Sequence, residues 1–233
     1  MGVQRPPLET LWVDMGLPSG NRWAVSNLDA NGPYFFQESP FQYGCSFFSW
    51  GNVTPHNPIS ENEFDYDFGG VNPSAPYYEG QPYGDTPGSL LTGNIPLNSD
   101  AARRLLGGPW YTPSSDDFVE LFANIIYINA DGSEVDITKT DKRVTVNGVL
   151  GLYLESKING ARLFFPCSGA GDNNSWVSLE SYGYYWSSTF YSDRNARNLI
   201  FRSSGVGPQH NDTRCYGFAL RPIWNPRDLR GLI

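Results

Sequence analysis

Residues 182–223, which carry the clearest strand pattern of the chain, read YGYYWSSTFYSDRNARNLIFRSSGVGPQHNDTRCYGFALRPI. Short runs of aromatic and aliphatic residues alternate there with segments rich in Ser, Asn, Asp and Gly, a pattern typical of strands joined by polar loops. We predict three short strands, over residues 184–187, 198–201 and 218–221. Trp186 and Phe218 are expected in the core, and Arg221 is expected to pair with a carboxylate.

The chain before this stretch also predicts antiparallel hairpins. Val144, Val146 and the run 149–154 have the composition of strands, and Asn159-Gly160 is a typical turn between LYLESKI and ARLFF. The segment 168–175, rich in Gly, Ser and Asn, is expected to form a loop. Residues 11–25 predict two short strands around the turn LPSG, and the aromatic residues 43–52 predict a buried strand.

Two helices are predicted in the middle of the chain. The tripeptide NSD at 98–100 can cap the segment AARRLL, which Gly107-Gly108 ends. Ser114 or Ser115 can cap a second helix, DDFVELFAN, whose acidic first residues lie near the positive end of the helix dipole. Residue spacing predicts one buried face of this helix, formed by Phe118, Leu121 and Phe122.

Residues 53–97 are unlike the rest of the chain, because Pro recurs among Gly and Asn residues. We interpret this Pro-rich insertion as a long irregular surface loop. No internal repeat and no linker divides the sequence. We therefore predict a single α+β domain over residues 1–233, with antiparallel strands, two short helices and long irregular loops.

Composition excludes several classes of protein. The 233 residues carry a net charge of -8, which argues against a nucleic-acid-binding or anionic-membrane-binding coat. Only 17% of residues are charged and 15% are aromatic, unlike a coiled coil or a disordered chain. We expect no membrane insertion, since the sequence has no long apolar stretch. We also expect the chain to be made without a secretion signal, since its N-terminal region is not apolar. Cys45, Cys167 and Cys215 allow at most one internal disulfide.

Several segments, in this order, resemble a known family. They are VDMGLPSGNRWA, YGCSFFSWG, AARRLLGGPWYTPSSDDFVEL and ESKINGARLFFPCSG, followed by YGYYWSST, NLIF and GFALRPI. Together they are similar to the C-type-lectin-fold variable proteins of diversity-generating retroelements in Bacteroidetes and their phages, which are related to the Fibrobacter major paralogous domain. The resemblance implies a C-type lectin fold whose changeable C-terminal surface binds a ligand or receptor. The insertion at about 53–97 departs from the family pattern.

The residue types of segment 187–216 fit such a surface. Diversification at adenines changes an Asn codon at its first two bases and cannot produce Lys, Glu, Gln, Met or Trp. The segment contains no Lys, Glu, Met or Trp, and its one Gln, Gln209, stands where the family pattern has a fixed Gln. Residues 181–233 carry seven Arg and three Asp, a net charge of +4, against nine basic and 21 acidic residues in 1–180. An ordinary polar loop can have the same composition, so both interpretations stay open at this point.

Alternation along the strands predicts which residues face the ligand. Leu199 and Phe201 are expected to point inward, which leaves Ile200 and Arg202 on the opposite face with Arg197 and Ser204 nearby. Two polar loops, one over residues 190–194 and one over residues 210–216, are expected to complete a variable ligand-binding segment at about 187–216. The predicted ligand-binding residues are Phe190, Tyr191, Asp193, Arg194, Arg197, Ile200, Arg202, Ser204, His210, Asn211, Asp212, Thr213, Cys215 and Tyr216.

These observations predict a non-enzymatic protein, a phage host-attachment component of the virion that binds a protein or glycan receptor on a bacterial surface. If a signal peptide has been removed, a place on the bacterial cell surface is the alternative. The resemblance also implies self-association, for example as a trimer, or contact with other virion proteins. We expect no nucleic-acid partner.

Two other functions fit the same fold. A virion structural or decoration protein would bury its C-terminal face against other subunits. An enzyme of the formylglycine-generating type would need a cysteine pair, but Cys215 stands alone near the C-terminus and no orienting group is evident beside His210. The acidic run Glu61, Glu63, Asp65 and Asp67 lacks the spacing of a calcium loop. We therefore expect no enzymatic activity, no cofactor and no metal.

Overall fold

The computed structural model describes residues 10–54, 95, 99–172, 175–192, 195–214 and 216–226. In these ranges the chain is mostly antiparallel β-sheet with two short helices, which confirms the α+β class. The helices are α1 (Ala101–Leu106) and α2 (Ser115–Ala123). The strands are β1 (Trp12–Asp14), β2 (Arg22–Ala24), β3 (Trp110–Tyr111), β4 (Ile125–Tyr127), β5 (Val144–Val146), β6 (Val149–Ser156), β7 (Arg162–Pro166), β8 (Ala170–Asp172), β9 (Ser175–Val177), β10 (Gly183–Phe190), β11 (Asn195–Arg202), β12 (Gly205–Thr213) and β13 (Ile223–Trp224).

The first sheet joins segments from both ends of the described chain. Its strand order is β1-β2-β13-β3, and all neighbouring strands are antiparallel. The predicted N-terminal hairpin is confirmed. Its turn has Gly20 at φ 77°, a conformation that glycine adopts without steric cost, and Gly20 N donates to the Leu17 carbonyl at 2.9 Å. Trp23 of β2 is fully buried, so the hairpin is fixed by the core as well as by its turn.

The second sheet is built around β6. Strand β7 pairs with one edge of β6, while β4 and β5 pair with successive parts of the other edge. The hairpins predicted for residues 144–166 are confirmed, and Gly160 has φ 73° in the second turn. Leu152 and Leu154 share one face of β6 and are fully buried in the main core.

The third sheet, β10-β11-β12, carries the C-terminal segment and is covered on both sides. On one face Leu199 and Phe201 lie in the main core. On the other face Trp186 stacks on Phe218, with ring centroids 4.1 Å apart, in a second buried cluster. The prediction that Trp186 and Phe218 belong to the core is confirmed.

Both predicted helices are present and begin at predicted caps. The Asp100 carboxylate accepts hydrogen bonds from two backbone N–H groups at the start of α1. Ser114 caps α2 in a capping box with Asp117. The predicted face of α2 is buried at Phe118 and Leu121. Within the described ranges, no helix is both long enough and apolar enough to cross a membrane.

Three predictions about individual strands are wrong. Within the range 168–175 predicted as a loop, residues 170–172 form β8, which pairs with β9 (Ser175–Val177). Residues 43–52 make only isolated bridges, at Phe47 and Phe48, of which Phe48 pairs with Phe218, although most of their side chains are buried. Residues 218–221 also contribute only bridges, and the regular strand follows them as β13. Aromatic density correctly indicated burial, but here burial comes from side-chain packing without a continuous ladder of backbone hydrogen bonds.

The prediction of a polar loop over residues 210–216 is wrong for its first part. Residues 210–213 belong to β12, which pairs with β11 from Asn195↔Thr213 to Arg202↔Gly205. Because β12 lies at the edge of its sheet, polar side chains on it reach water without breaking the strand pairing.

The expected ion pair of Arg221 is also wrong. Its guanidinium is fully buried and has no carboxylate partner among the described residues. It donates to the backbone carbonyls of Ala24, Val25 and Phe164 and to the side-chain oxygen of Asn27. Four neutral acceptors thus satisfy the charge, because the tertiary structure gathers chain segments around it that are far apart in sequence.

Candidate functional site

The predicted ligand-binding residues lie on two opposite faces of the third sheet. Ile200 and Arg202 are two residues apart in β11 and therefore share a face. Arg197 shares the other face with Leu199 and Phe201. The expectation that Arg197 lies beside Ile200 and Arg202 is wrong, because an odd spacing along a strand points two side chains in opposite directions.

Strand β12 also contributes residues to both faces. His210 pairs with Asn198 and lies on the side of Ile200, whereas Asn211 pairs with Arg197 and lies on the other side. We name each surface by its arginine. The Arg202 face consists of Tyr182, Tyr184, Asn198, Ile200, Arg202, His210 and Asp212, and the Arg197 face consists of Tyr191, Arg197 and Asn211.

A column of aromatic rings supports the Arg202 face. It begins in the core at Trp186 and Phe218 and continues to Tyr184, whose ring centroid is 4.8 Å from that of Phe218. Tyr182 follows at 6.0 Å, and the Arg202 guanidinium carbon lies 5.9 Å from the centroid of the Tyr182 ring. The surface end of the column is therefore held by its buried end.

Asp212 is the carboxylate of the Arg202 face. Its Oδ2 accepts a hydrogen bond from Asn198 Nδ2 at 3.0 Å and lies 3.2 Å from His210 Nδ1. Burial raises the pKa of Asp212, while His210, Asn198 and Arg202 oppose the rise by favouring the charged form. Burial also raises the pKa of Tyr184, and the negative charge of Asp212 adds to that effect. The charges of Asp212 and Arg202 thus affect each other's surroundings and that of Tyr184.

Ile200 is buried, with only 7% of its surface exposed, so its prediction as an exposed contact residue is wrong. It sits between its register partners Tyr184 and Gly207, on a face whose inner part is covered by the second cluster. Alternation gave the side of the sheet but not the exposure, because exposure depends on what the rest of the fold places there. Ile200 forms an apolar floor of the Arg202 face.

The Arg197 face is more nearly closed on itself. Tyr191 is 47% exposed, and the Arg197 guanidinium carbon lies 4.2 Å from the centroid of its ring. Arg197 Nη1 also donates to the Gln209 carbonyl at 2.8 Å. Asn211 Oδ1 accepts a hydrogen bond from Asn195 Nδ2 at 2.9 Å. The polar groups of this face are largely engaged by one another.

The remaining predicted residues have different surroundings. Phe190 and Tyr216 are partly buried against the second cluster, so they support the core more than they present a surface. Ser204 is exposed in the turn between β11 and β12, and Thr213 is half-buried at the end of β12. Three predicted residues lie outside the described residues: Asp193, Arg194 and Cys215.

Sequence reasoning missed three residues of the Arg202 face, namely Tyr182, Tyr184 and Asn198. A signal for the tyrosines was present, because Tyr182, Tyr184 and Trp186 alternate in sequence and so share a face. No local signal points to Asn198. Its contact with Asp212 depends on the register between β11 and β12.

The two described cysteines are free thiols in the core. Burial raises the pKa of Cys45 and the pKa of Cys167 to about 12. Because the thiolate is the reactive form, neither residue is suited to nucleophilic chemistry at neutral pH.

We expect Cys45 and Cys167 to resist iodoacetamide in the folded chain and to react once the chain is unfolded in urea.

The free energy of unfolding should also fall as the pH rises above 9, since unfolded thiols ionise there while the folded thiols stay protonated to about pH 12. Peptide mass spectrometry measures the labelling, and urea titrations at several pH values measure the stability. A Cys45→Ala/Cys167→Ala variant should show a weaker pH dependence. Equal labelling of folded and unfolded chains would contradict the burial.

A small internal cavity lies beneath Trp50 and Trp186. Its volume is about 10 Å³, which is room for about one water molecule and too little for an organic substrate.

Among the described side chains, no group of three or more His, Cys, Asp or Glu could hold a metal ion. Comparison of the chain with family models, with curated proteins and with solved structures gives no match.

Proposed function

We propose that this chain is a non-enzymatic binding protein with a C-type lectin fold, and that it serves as a host-attachment component of a phage particle. In this proposal the Arg202 face contacts a receptor on a bacterial surface. The mostly antiparallel architecture with two short helices is consistent with such a fold. The Arg202 face is preferred to the Arg197 face because its arginine makes no hydrogen bond with the described residues.

The observation that carries the proposal is the separation of buried and exposed positions within segment 187–216. Buried positions such as Ala196, Leu199 and Phe201 hold the sheet in the core. The exposed described residues of the segment are Tyr191, Arg202, Ser203, Ser204, Gln209 and His210. Apart from Gln209, each is a type that an Asn codon diversified at its adenines can encode. Surface residues can therefore change without changing the support beneath them.

Recognition would follow from shape and charge, with no bond made or broken. Tyr and Arg are the residues most often responsible for binding energy at interfaces, because they combine a large contact area with directed hydrogen bonds. The Tyr182 ring next to Arg202 adds aromatic contact area to the same face.

We expect Arg202→Ala to weaken binding of the labelled chain to receptor-bearing Bacteroidetes cells by about 30-fold, the effect of a hot-spot residue worth about 2 kcal/mol. Its melting temperature should stay close to that of the wild type, because Arg202 is exposed. Flow cytometry with a concentration series measures the affinity. Arg197→Ala should keep full binding, and a loss confined to Arg197→Ala would move the contact to the other face.

The DNA around the gene tests the origin of this surface separately. A near-copy of the sequence coding for residues 187–216, differing at adenines and adjacent to a reverse transcriptase gene, is the expected finding. A chain that binds only other virion proteins and no cell would instead support the role of a structural or decoration protein.

A further inference from the structure

We propose that the Arg202 face binds the hydroxyl groups of a sugar, so that the receptor is a glycan. This inference rests on the proposed binding function and specifies its ligand. It comes from the hydrogen-bonding groups that the face leaves unfilled.

Unfilled donors and acceptors lie on the same face of the sheet, and the charge of Arg202 reaches Asp212 electrostatically. The Arg202 guanidinium makes no hydrogen bond with the described residues, and neither does the Oδ1 atom of Asp212. His210 uses Nδ1 toward Asp212, which leaves its second ring nitrogen for a ligand. Arg202 can only donate and an ionised Asp212 can only accept. A ligand that fills both must carry several groups that donate and accept along its length, as the hydroxyl groups of a sugar do.

The Asn198 amide gives independent support. Its Nδ2 donates to Asp212, while its Oδ1 is buried and has no hydrogen-bond donor among the described residues. Buried acceptors are nearly always paired, so an unpaired one within a hydrogen-bonded group calls for an explanation. The Asp212 carboxylate fixes the orientation of this amide, because turning it would bring two acceptor oxygens together. Asn198 is fully buried, so it acts on a ligand through Asp212, whose Oδ2 its amide holds in place.

Other ligand chemistries fit this face less well. An anionic group would bind Arg202 but would be repelled by Asp212, and it offers no donor to the unpaired acceptors. A cationic group would meet the like charge of Arg202. An apolar side chain would bury all of these polar groups unpaired.

The apolar parts of the face match the other half of a sugar. Tyr182 and Tyr184 are partly exposed, and Ile200 forms the floor between the polar groups. A sugar ring has apolar C–H surfaces together with its hydroxyl groups. Aromatic rings adjacent to Arg, Asp, His and Asn side chains can therefore contact both parts at once.

Affinity electrophoresis of the full chain tests this inference directly. The probes are gels containing mannan, galactomannan, dextran or arabinogalactan, with polyglutamate as an anionic comparison. We expect at least one neutral polysaccharide to retard the wild type, and we expect Arg202→Ala and Asp212→Asn each to reduce the retardation at least about tenfold. Arg104→Ala, an exposed arginine of α1, is the matched control and should run like the wild type. Thermal melts confirm that each variant is folded.

Three results would overturn the inference. They are migration unchanged by every neutral polysaccharide, retardation by polyglutamate alone, and retardation that survives both Arg202→Ala and Asp212→Asn.

Treatment of receptor-bearing cells separates this inference from the proposed function. Mild periodate cleaves vicinal diols and is expected to abolish binding of the chain to the cells, whereas protease treatment should leave binding intact. If protease abolishes binding and periodate does not, the receptor is a protein: the sugar inference fails while the binding function stands. Absence of binding to untreated cells of every strain would count against the binding function itself.

Discussion

Arg221→Leu is expected to lower the free energy of unfolding by about 3–5 kcal/mol, because it leaves several hydrogen-bond acceptors unpaired, each at a cost of about 1–3 kcal/mol when buried. Arg221 Nε donates to Asn27 Oδ1 at 2.8 Å, and Nη2 donates to the Phe164 carbonyl at 2.9 Å. Nη1 donates to the carbonyls of Ala24 and Val25 at 3.1 and 2.8 Å. Leucine would leave three buried acceptors and one partly buried acceptor, the Val25 carbonyl, without this donor.

The cost of burying the cation offsets part of this loss. Burial lowers the pKa of Arg221 to about 10, so the group remains charged at neutral pH and the wild type carries the whole desolvation penalty. Its guanidinium carbon lies 4.6 Å from the centroid of the Phe165 ring, which offsets part of the penalty. The variant escapes the penalty but loses every hydrogen bond that compensates for it.

Urea denaturation followed by circular dichroism measures the Arg221 effect. Arg104→Leu, on the exposed side of α1, is the matched control and should stay within about 0.5 kcal/mol of the wild type. Arg221→Lys keeps a positive charge, but its single ammonium cannot reach acceptors on several sides, so most of the loss should remain. If Arg221→Leu were as stable as Arg104→Leu, the buried cation would not hold these segments together.

Asp100→Ala is the second substitution with a large expected effect, a loss of about 2–4 kcal/mol in the free energy of unfolding. Asp100 Oδ1 accepts from Ala102 N at 3.0 Å, from Arg103 N at 3.3 Å and from Thr112 Oγ1 at 2.8 Å. Its Oδ2 accepts from Thr112 N at 2.9 Å. The carboxylate thus caps α1 and joins that short helix to the segment that follows β3.

Burial explains why the Asp100 loss should exceed that of an ordinary helix cap. Asp100 is only 3% exposed, so water cannot replace the carboxylate at the freed donors, and burial correspondingly raises its pKa. Ser114→Ala, the cap of α2 at a less buried position, should cost about 1 kcal/mol in the same urea titration. Thr112→Val would remove only the hydrogen bond from Thr112 Oγ1 to Asp100. Its loss in the free energy of unfolding should be smaller than that of Asp100→Ala. Equal losses for the two cap variants would contradict this account.

Features that depend on neighbouring residues were predictable. The caps at Asp100 and Ser114 and the turns at Gly20 and Gly160 all involve groups only a few positions apart. Because a side chain that caps a helix or a glycine that closes a turn acts within its own segment, its effect can be inferred without knowing the fold. The two longest errors, over residues 43–52 and 210–213, concern segments whose conformation depends on distant partners.

The candidate site was predictable only in part. The residue types of segment 187–216 indicated a surface with unusual composition, and alternation assigned Ile200 and Arg202 to one side. Alternation did not show that Ile200 is covered, or that Arg197 and Tyr191 lie together on the Arg197 face. Those facts required the positions of the second cluster and of the residues that flank β11.

The α+β class, the helix caps and the tight hairpins could be inferred from the amino-acid sequence, because caps, turns and strand patterns act within a few residues. The contact of Asp212 with Asn198 and the neutral acceptors of Arg221 followed only from the folded chain. Such contacts join residues up to 197 positions apart, as in the bond from Arg221 to Ala24. Strand register and packing bring them together, and both are properties of the whole chain, since a shift of one residue would move every side chain of a strand to its other face.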